Sequence, residues 1–249
     1  MPALFKSSNP ALNERTFQGP IAAAGEAMTL QGTVNKTGFL LLCVVGTAAW
    51  TWGLAHSDTP QAVLPWMMGG GIAGLIFAIV TIFKRTWSPI TAPIYALCEG
   101  LVLGGISALL EKQYPGIAIQ AMGLTFGVTA VMLVLYTSRV LRATPKFTMG
   151  VIAATGGILL LYIVDMVLAH FGHHVPLLNS SGPWGIAISA VIVIVAALNL
   201  ILNFGLVESG VQSGAPKYME WYAAFGIMVT LVWMYMEILS LLSKLRDRR

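Results

Sequence analysis

Long apolar runs separated by short polar breaks dominate the chain from about residue 37 onward. Seven runs stand out, at about 37–56, 61–83, 90–110, 117–138, 147–170, 184–206 and 218–242. Each supplies the roughly 20 apolar residues a helix needs to cross ~30 Å of hydrocarbon. The breaks carry residues that end helices: Asp58-Thr59-Pro60, Trp87-Ser88-Pro89, Tyr114-Pro115-Gly116, Thr144-Pro145 and the stretch from Asn179 to Pro183. The runs are continuously apolar. A membrane barrel would instead alternate apolar and polar positions in segments of about ten residues. The pattern therefore predicts an all-α, polytopic membrane protein with seven transmembrane helices over 37–243. Residues 1–36 are read as an N-terminal cytoplasmic arm and 244–249 as a basic C-terminal tail.

Composition agrees with this. Of 249 residues, 57% are hydrophobic and 10% charged, with a mean hydropathy of +0.79, whereas soluble domains carry about 25% charged residues. A soluble enzyme, a disordered chain and a disulfide scaffold are excluded. The two cysteines, Cys43 and Cys98, lie inside apolar runs and are read as reduced packing residues. No signal peptide precedes the first run.

Charge sets the orientation. With the N-terminus inside, the cytoplasmic segments hold Lys6, Arg15, Lys36, Lys84, Arg85, Arg139, Arg142, Lys146 and Lys217, and the opposite loops only Lys112. This is the positive-inside pattern, and it accounts for the net charge of +4 without a nucleic-acid partner. The tail (Lys244, Arg246, Arg248, Arg249) opposes it. Either the tail lies outside after seven crossings, the reading adopted, or the last segment re-enters. Glycines cluster at Gly69-Gly70-Gly71 with Gly74, at Gly100 with Gly104-Gly105, and at Gly156-Gly157, and are read as sites of close helix approach. No internal repeat suggests an inverted-repeat transporter.

An ionisable side chain in hydrocarbon is expensive and marks a functional candidate. Glu99, Asp165 and Glu237 fall inside spans; Glu208 closes the sixth, just beyond Asn199 and Asn203, which share a helix face at i, i+4. No Lys or Arg lies deep in a span, so the acids have no evident countercharge. Such an acid couples its protonation to helix packing. The histidines His170, His173 and His174 have spacing too weak for a metal site, and the aromatic and Met residues of the last span (Met228, Trp233, Met234, Tyr235, Met236) are read as packing. Retinal chemistry lacks its intramembrane lysine. A rhomboid-type protease lacks its Gly-x-Ser-Gly, since Ala108 follows Gly105-Ile106-Ser107. An aspartyl intramembrane protease lacks a second aspartate beside Asp165. The reading is a non-enzyme without cofactor.

Three strings carry a resemblance: Ser8-Asn9-Pro10-Ala11-Leu12, the segment from Tyr95 to Ser107 (YALCEGLVLGGIS), and the segment from Gly214 to Gly226 (GAPKYMEWYAAFG), followed by Trp233-Met234-Tyr235-Met236-Glu237-Ile238-Leu239. They resemble the bacterial, YccA-like branch of the Bax-inhibitor (TMBIM) family. The resemblance implies six helices around a central seventh in a bacterial inner membrane, and a pH-sensitive leak of calcium or other cations. It also implies a latch of two carboxyls on the sixth and seventh spans that share a proton. Glu237 matches the seventh-span acid. The sixth span departs, reading Asn203-Phe204-Gly205 where many relatives carry aspartate. Glu237 is then expected to titrate alone with Asn203 as its neutral partner, and Glu99 and Glu208 to serve as path or latch residues. The alternative implied by the same branch is a non-conducting regulator that binds a membrane protease or another stress partner.

Overall fold

The computed structural model describes residues 27–57, 60–173, 175, 178 and 180–248. The Ser8–Leu12 string, Lys6, Arg15, Asp58, Thr59, His174, Asn179 and Arg249 lie outside the described residues. Seven long helices follow in order: α1 (Leu30–Ala55), α2 (Val63–Phe83), α3 (Ser88–Gln113), α4 (Ile117–Thr137), α5 (Pro145–His170), α6 (Pro183–Gln212) and α7 (Met219–Asp247). There is no strand among the described residues, and all seven helices are long and apolar enough to cross a membrane. The shortest, α2 and α4, have 21 residues each; at 1.5 Å per residue they span about 31 Å, the thickness of a hydrocarbon core.

Local chemistry starts these helices where the breaks anticipate. Thr29 caps α1 by accepting from the Gly32 N–H, and Thr144 caps α5 by accepting from the Phe147 N–H with Pro145 following. Proline also opens α6 at Pro183, a position whose N–H has no helical partner anyway. Gly116 precedes α4 at φ 83°, and Gly214 turns the α6–α7 connection at φ 66°, both in the left-handed region that glycine enters freely.

α7 is the central helix. It packs on α1, α3, α4 and α6, while α2 packs mainly on α3, and α5 on α6. Tyr222, Phe225, Met228 and Met234 of α7 are fully buried, together with Leu200, Ile201 and Leu202 of α6. The outward faces are apolar, with Leu75, Met149 and Leu160 mostly exposed, as lipid contact requires. The chain is a multi-pass membrane protein.

Three boundaries lie well outside the expected runs, the first being the end of α6, which continues past 206 to Gln212. α1 begins at Leu30, so Lys36 belongs to a helix and not to the arm. α7 runs to Asp247, so Lys244 is a buried helical residue. The glycine clusters divide as well. A Cβ on Gly100 would lie 2.0 Å from Thr47 Oγ1, and one on Gly104 would lie 2.2 Å from both Ala48 O and Thr51 Oγ1. These two glycines let α3 lie against α1, where Thr47 Oγ1 donates to Leu97 O at 2.8 Å. Gly156 and Gly157 face nothing within 4 Å, so the close approach expected there is not made.

Candidate functional site

Antiparallel pairing of α6 and α7 sets the level of each polar group. Asn203 Nδ2 donates to Thr230 Oγ1 at 2.7 Å, and Lys244 Nζ donates to Ser189 Oγ at 2.6 Å. Both contacts fit one register. α3 runs parallel to α7: Ser88 Oγ donates to Tyr218 O at one end, and Ser107 Oγ meets Tyr235 OH at 2.6 Å further along.

Glu237 lies deep on α7 and is 7% exposed. Its Oε1 accepts from the Tyr162 hydroxyl of α5 and, at 3.0 Å, from the Trp233 indole N–H one turn earlier. The charged side chain whose field reaches it is Lys244, seven residues on, about 10.5 Å along the axis. Lys244 is itself 8% exposed and donates to Leu178 O at 2.5 Å as well as to Ser189. The countercharge that the sequence reading lacked is therefore present on the same helix, though not in contact.

Asn203 is not the partner of Glu237. It is fully buried, and besides Thr230 its amide points at Gly226 O at 3.5 Å. Thr230 stands seven residues from Glu237. The position opposite Asn203 is thus two turns away, and Tyr162 takes the role expected of it. Nor do Asn199 and Asn203 act together. Asn199 Nδ2 reaches Thr155 Oγ1 of α5 at 2.8 Å and Val195 O at 2.9 Å, whereas Asn203 turns to α7.

The other acids are scattered. Glu208 is exposed at the end of α6, where it accepts from the Tyr136 hydroxyl of α4 and from Gln212 Nε2 at 3.4 Å. The α6–α7 register puts it level with Phe225, about 18 Å below Glu237 along the axis. Glu99 is half-buried between α2 and α3, beside the Tyr95 hydroxyl and facing Gly74, where a Cβ would meet its Oε1 at 3.2 Å. Asp165 accepts from the Val175 N–H at 2.7 Å and so fastens the connection after α5. No two of these carboxyls form a dyad. Among the described residues no group of three or more His, Cys, Asp or Glu could hold a metal ion.

A further buried acid escaped the sequence reading. Glu220, in the first turn of α7, is 0% exposed; its carboxylate pairs with Lys36 of α1, which is 19% exposed. Its Oε1 also accepts from the Thr29 N–H and the Thr29 hydroxyl, both at 2.9 Å. Met28 N–H donates to Ala215 O at 2.6 Å alongside, so the start of α1 is fastened to the α6–α7 connection. The signal was available: Lys36 heads the first span and Glu220 opens the last, two opposite charges at the borders of apolar runs. Tyr162 gave no such signal, because a tyrosine within a span is common.

The arrangement holds the Glu237 carboxyl among neutral donors at the contact between the central helix and α5, the helix with the least buried surface. No curated protein and no solved structure matches the chain. A family model described as Bax inhibitor 1 like matches residues 9–247, nearly the full length and every element described above, and the chain belongs to that family.

Proposed function

We propose that this protein is a pH-dependent leak for calcium, or for cations more generally, in a bacterial inner membrane, with Glu237 as the titrating group. The observation that carries the reading is the Glu237 carboxyl itself. It is buried at membrane depth, held by Tyr162 and Trp233, and out of contact with Lys244. An ionised carboxylate there attracts a cation that neutral side chains would not; protonation removes the attraction. Calcium takes six to eight oxygen ligands, and one carboxylate beside a single tyrosine hydroxyl falls short of that number. An ion at this point is held weakly, which suits passage better than storage. Tyr162 adds a mechanical link, because the same hydrogen bond ties α5 to α7, and a change in the charge of Glu237 changes that tie. The neutral Asn203–Thr230 pair lies buried two turns lower on the same helix and does not titrate.

Flux into liposomes holding the purified protein tests the reading. Calcium entry should rise with pH as Glu237 gives up its proton, and Glu237→Gln should lower the flux and flatten its response to pH. Flux no greater than that of empty liposomes at every pH would refute the leak. The regulator of a membrane protease or similar partner would then be the reading to pursue.

A further inference from the structure

Lysines of the first and last helices sit within the bundle, and their charges are treated differently. Lys36 of α1 meets the Glu220 carboxylate directly, so its charge is cancelled where it stands. Lys244 of α7 is buried, and the acceptors it meets are neutral: Leu178 O of the α5–α6 connection at 2.5 Å and Ser189 Oγ of α6 at 2.6 Å. Among the described residues it makes no ion pair. Ser189 lies six residues beyond Pro183, about 9 Å inside the start of α6, so the ammonium is not a tail group standing in water. Hydrogen bonds to neutral groups hold it in place and leave its positive charge whole.

That charge acts along the central helix. Seven residues make two helical turns less about 20°, so Lys244 and Glu237 share one face of α7. The field of Lys244 reaches Glu237, whereas that of Asp165 on α5 reaches Tyr162. The lysine and the carboxylate nevertheless do not meet. Glu237 is held by Tyr162 and Trp233, and Lys244 by Leu178 and Ser189. Two opposite charges that served to neutralise each other would close the gap, as Lys36 and Glu220 do. Here neutral partners keep them about 10 Å apart along the axis.

We infer that Lys244 is a specificity-determining residue of the leak, a fixed buried charge that opposes divalent cations at Glu237 more strongly than monovalent ones. The inference rests on the leak reading and narrows its ion class. Any cation drawn to the Glu237 carboxylate also feels the ammonium, whatever route brings it there. The attraction and the repulsion both double for a divalent ion, so Lys244 cuts back the divalent preference that the carboxylate alone would give. At an effective dielectric constant of about 20, a unit charge at ~10 Å lowers the occupancy of a monovalent cation roughly fifteenfold, and that of a divalent cation by roughly the square of this. Mobile ions screen part of the effect. Monovalent cations therefore pass beside calcium, and the balance between them is set by Lys244.

The test measures calcium and potassium entry separately into liposomes that hold the full chain, at a single pH above neutrality, for the wild type, Lys244→Gln and Lys244→Arg. Glutamine keeps a donor for Leu178 O and Ser189 Oγ without the charge; arginine keeps the charge. Lys244→Gln should raise the ratio of calcium to potassium entry about tenfold, and Lys244→Arg should leave it within about twofold of the wild type. A loosened bundle would raise the entry of both ions together, so the ratio separates charge from packing. Ser189→Asp is a second variant that keeps the lysine. A carboxylate placed against Nζ cancels its charge and should raise the same ratio. Entry at the wild-type ratio in both Lys244→Gln and Ser189→Asp would overturn the inference and leave the leak standing. So would a ratio raised as far by Lys244→Arg as by Lys244→Gln. No entry of either ion through the wild type would overturn the leak and this inference with it.

Discussion

Replacing Gly32 by alanine should destabilise the protein, although general helix chemistry says the opposite. Alanine is favoured over glycine in a helix interior by about 1 kcal/mol, and Gly32 lies in the first turn of α1. The space is what reverses the sign. A Cβ at this position would lie 2.2 Å from Glu220 Oε1, 2.3 Å from its Cδ and 2.4 Å from its Oε2. All three atoms of the carboxylate are struck at once, so no rotation of the group relieves the clash. Glu220 must withdraw, and it loses Lys36 and both Thr29 donors together. Breaking a buried pair so that one charge is left uncompensated costs about 3–5 kcal/mol. Lys36 keeps some access to solvent, and the helix gain offsets part of the loss, which leaves a net cost of about 2–3 kcal/mol.

Cys43 and Cys98, both half-buried, provide the assay, since a thiol-reactive dye reports their exposure on heating in detergent micelles. At 2–4 °C per kcal/mol, the scaling for chains of 150–250 residues, the midpoint should fall by roughly 5–10 °C. Glu220→Ala should itself be destabilising. On that background Gly32→Ala should become neutral or stabilising by up to about 1 kcal/mol, because nothing remains to be struck. The signature is the sign change between the two backgrounds, a coupling of at least about 2 kcal/mol. A Gly32→Ala midpoint at or above the wild type, or an equal loss in both backgrounds, would refute the reasoning.

Other sites give sharp expectations. Gly104→Val should lower the same midpoint more than Gly156→Val, because side-chain atoms at Gly104 would meet Ala48 O and Thr51 Oγ1, whereas Gly156 faces open space; overpacking of this kind costs about 1–3 kcal/mol. Lys244→Met should cost about 1–3 kcal/mol in thermal stability, since Leu178 O and Ser189 Oγ lose their donor within the bundle. With both native cysteines replaced by serine, Lys217→Cys and Arg248→Cys should react with a membrane-impermeant maleimide from opposite sides of sealed vesicles. Reaction of both from the same side would contradict a full seventh crossing.

How far the sequence could be read depended on whether a property belongs to one helix or to a pair of helices. A span is a property of one segment: the burial of ~20 apolar side chains in lipid and the internal satisfaction of every backbone group. All seven runs accordingly became helices, even though their ends moved. Lys244 was lost to the tail because basic residues gather at 244–249, but Leu242 and Leu245 carry the helix on to Asp247, and a lysine can satisfy its ammonium on a carbonyl and a serine of neighbouring elements. The depth of Glu237 was equally legible, being a matter of counting along α7. Its partner was not. Periodicity places Asn199 and Asn203 on one face of α6, yet that face sits in the wedge between α5 and α7, and each asparagine turns to a different neighbour. The glycine clusters fail for the same reason, because small residues face α1 at Gly100 and Gly104 and face nothing within 4 Å at Gly156 and Gly157. In lipid no hydrophobic force distinguishes a protein-facing stripe from a lipid-facing one, so apolar pattern alone cannot assign neighbours. Only paired polar groups do so. In this chain those groups include Lys36 with Glu220, Asn203 with Thr230, Lys244 with Ser189, and Tyr162 with Glu237, beside Asn199 with Thr155 and Tyr136 with Glu208. Four of these six pairs include a residue of α7, so the last helix gathers most of the polar ties that fix the places of the others.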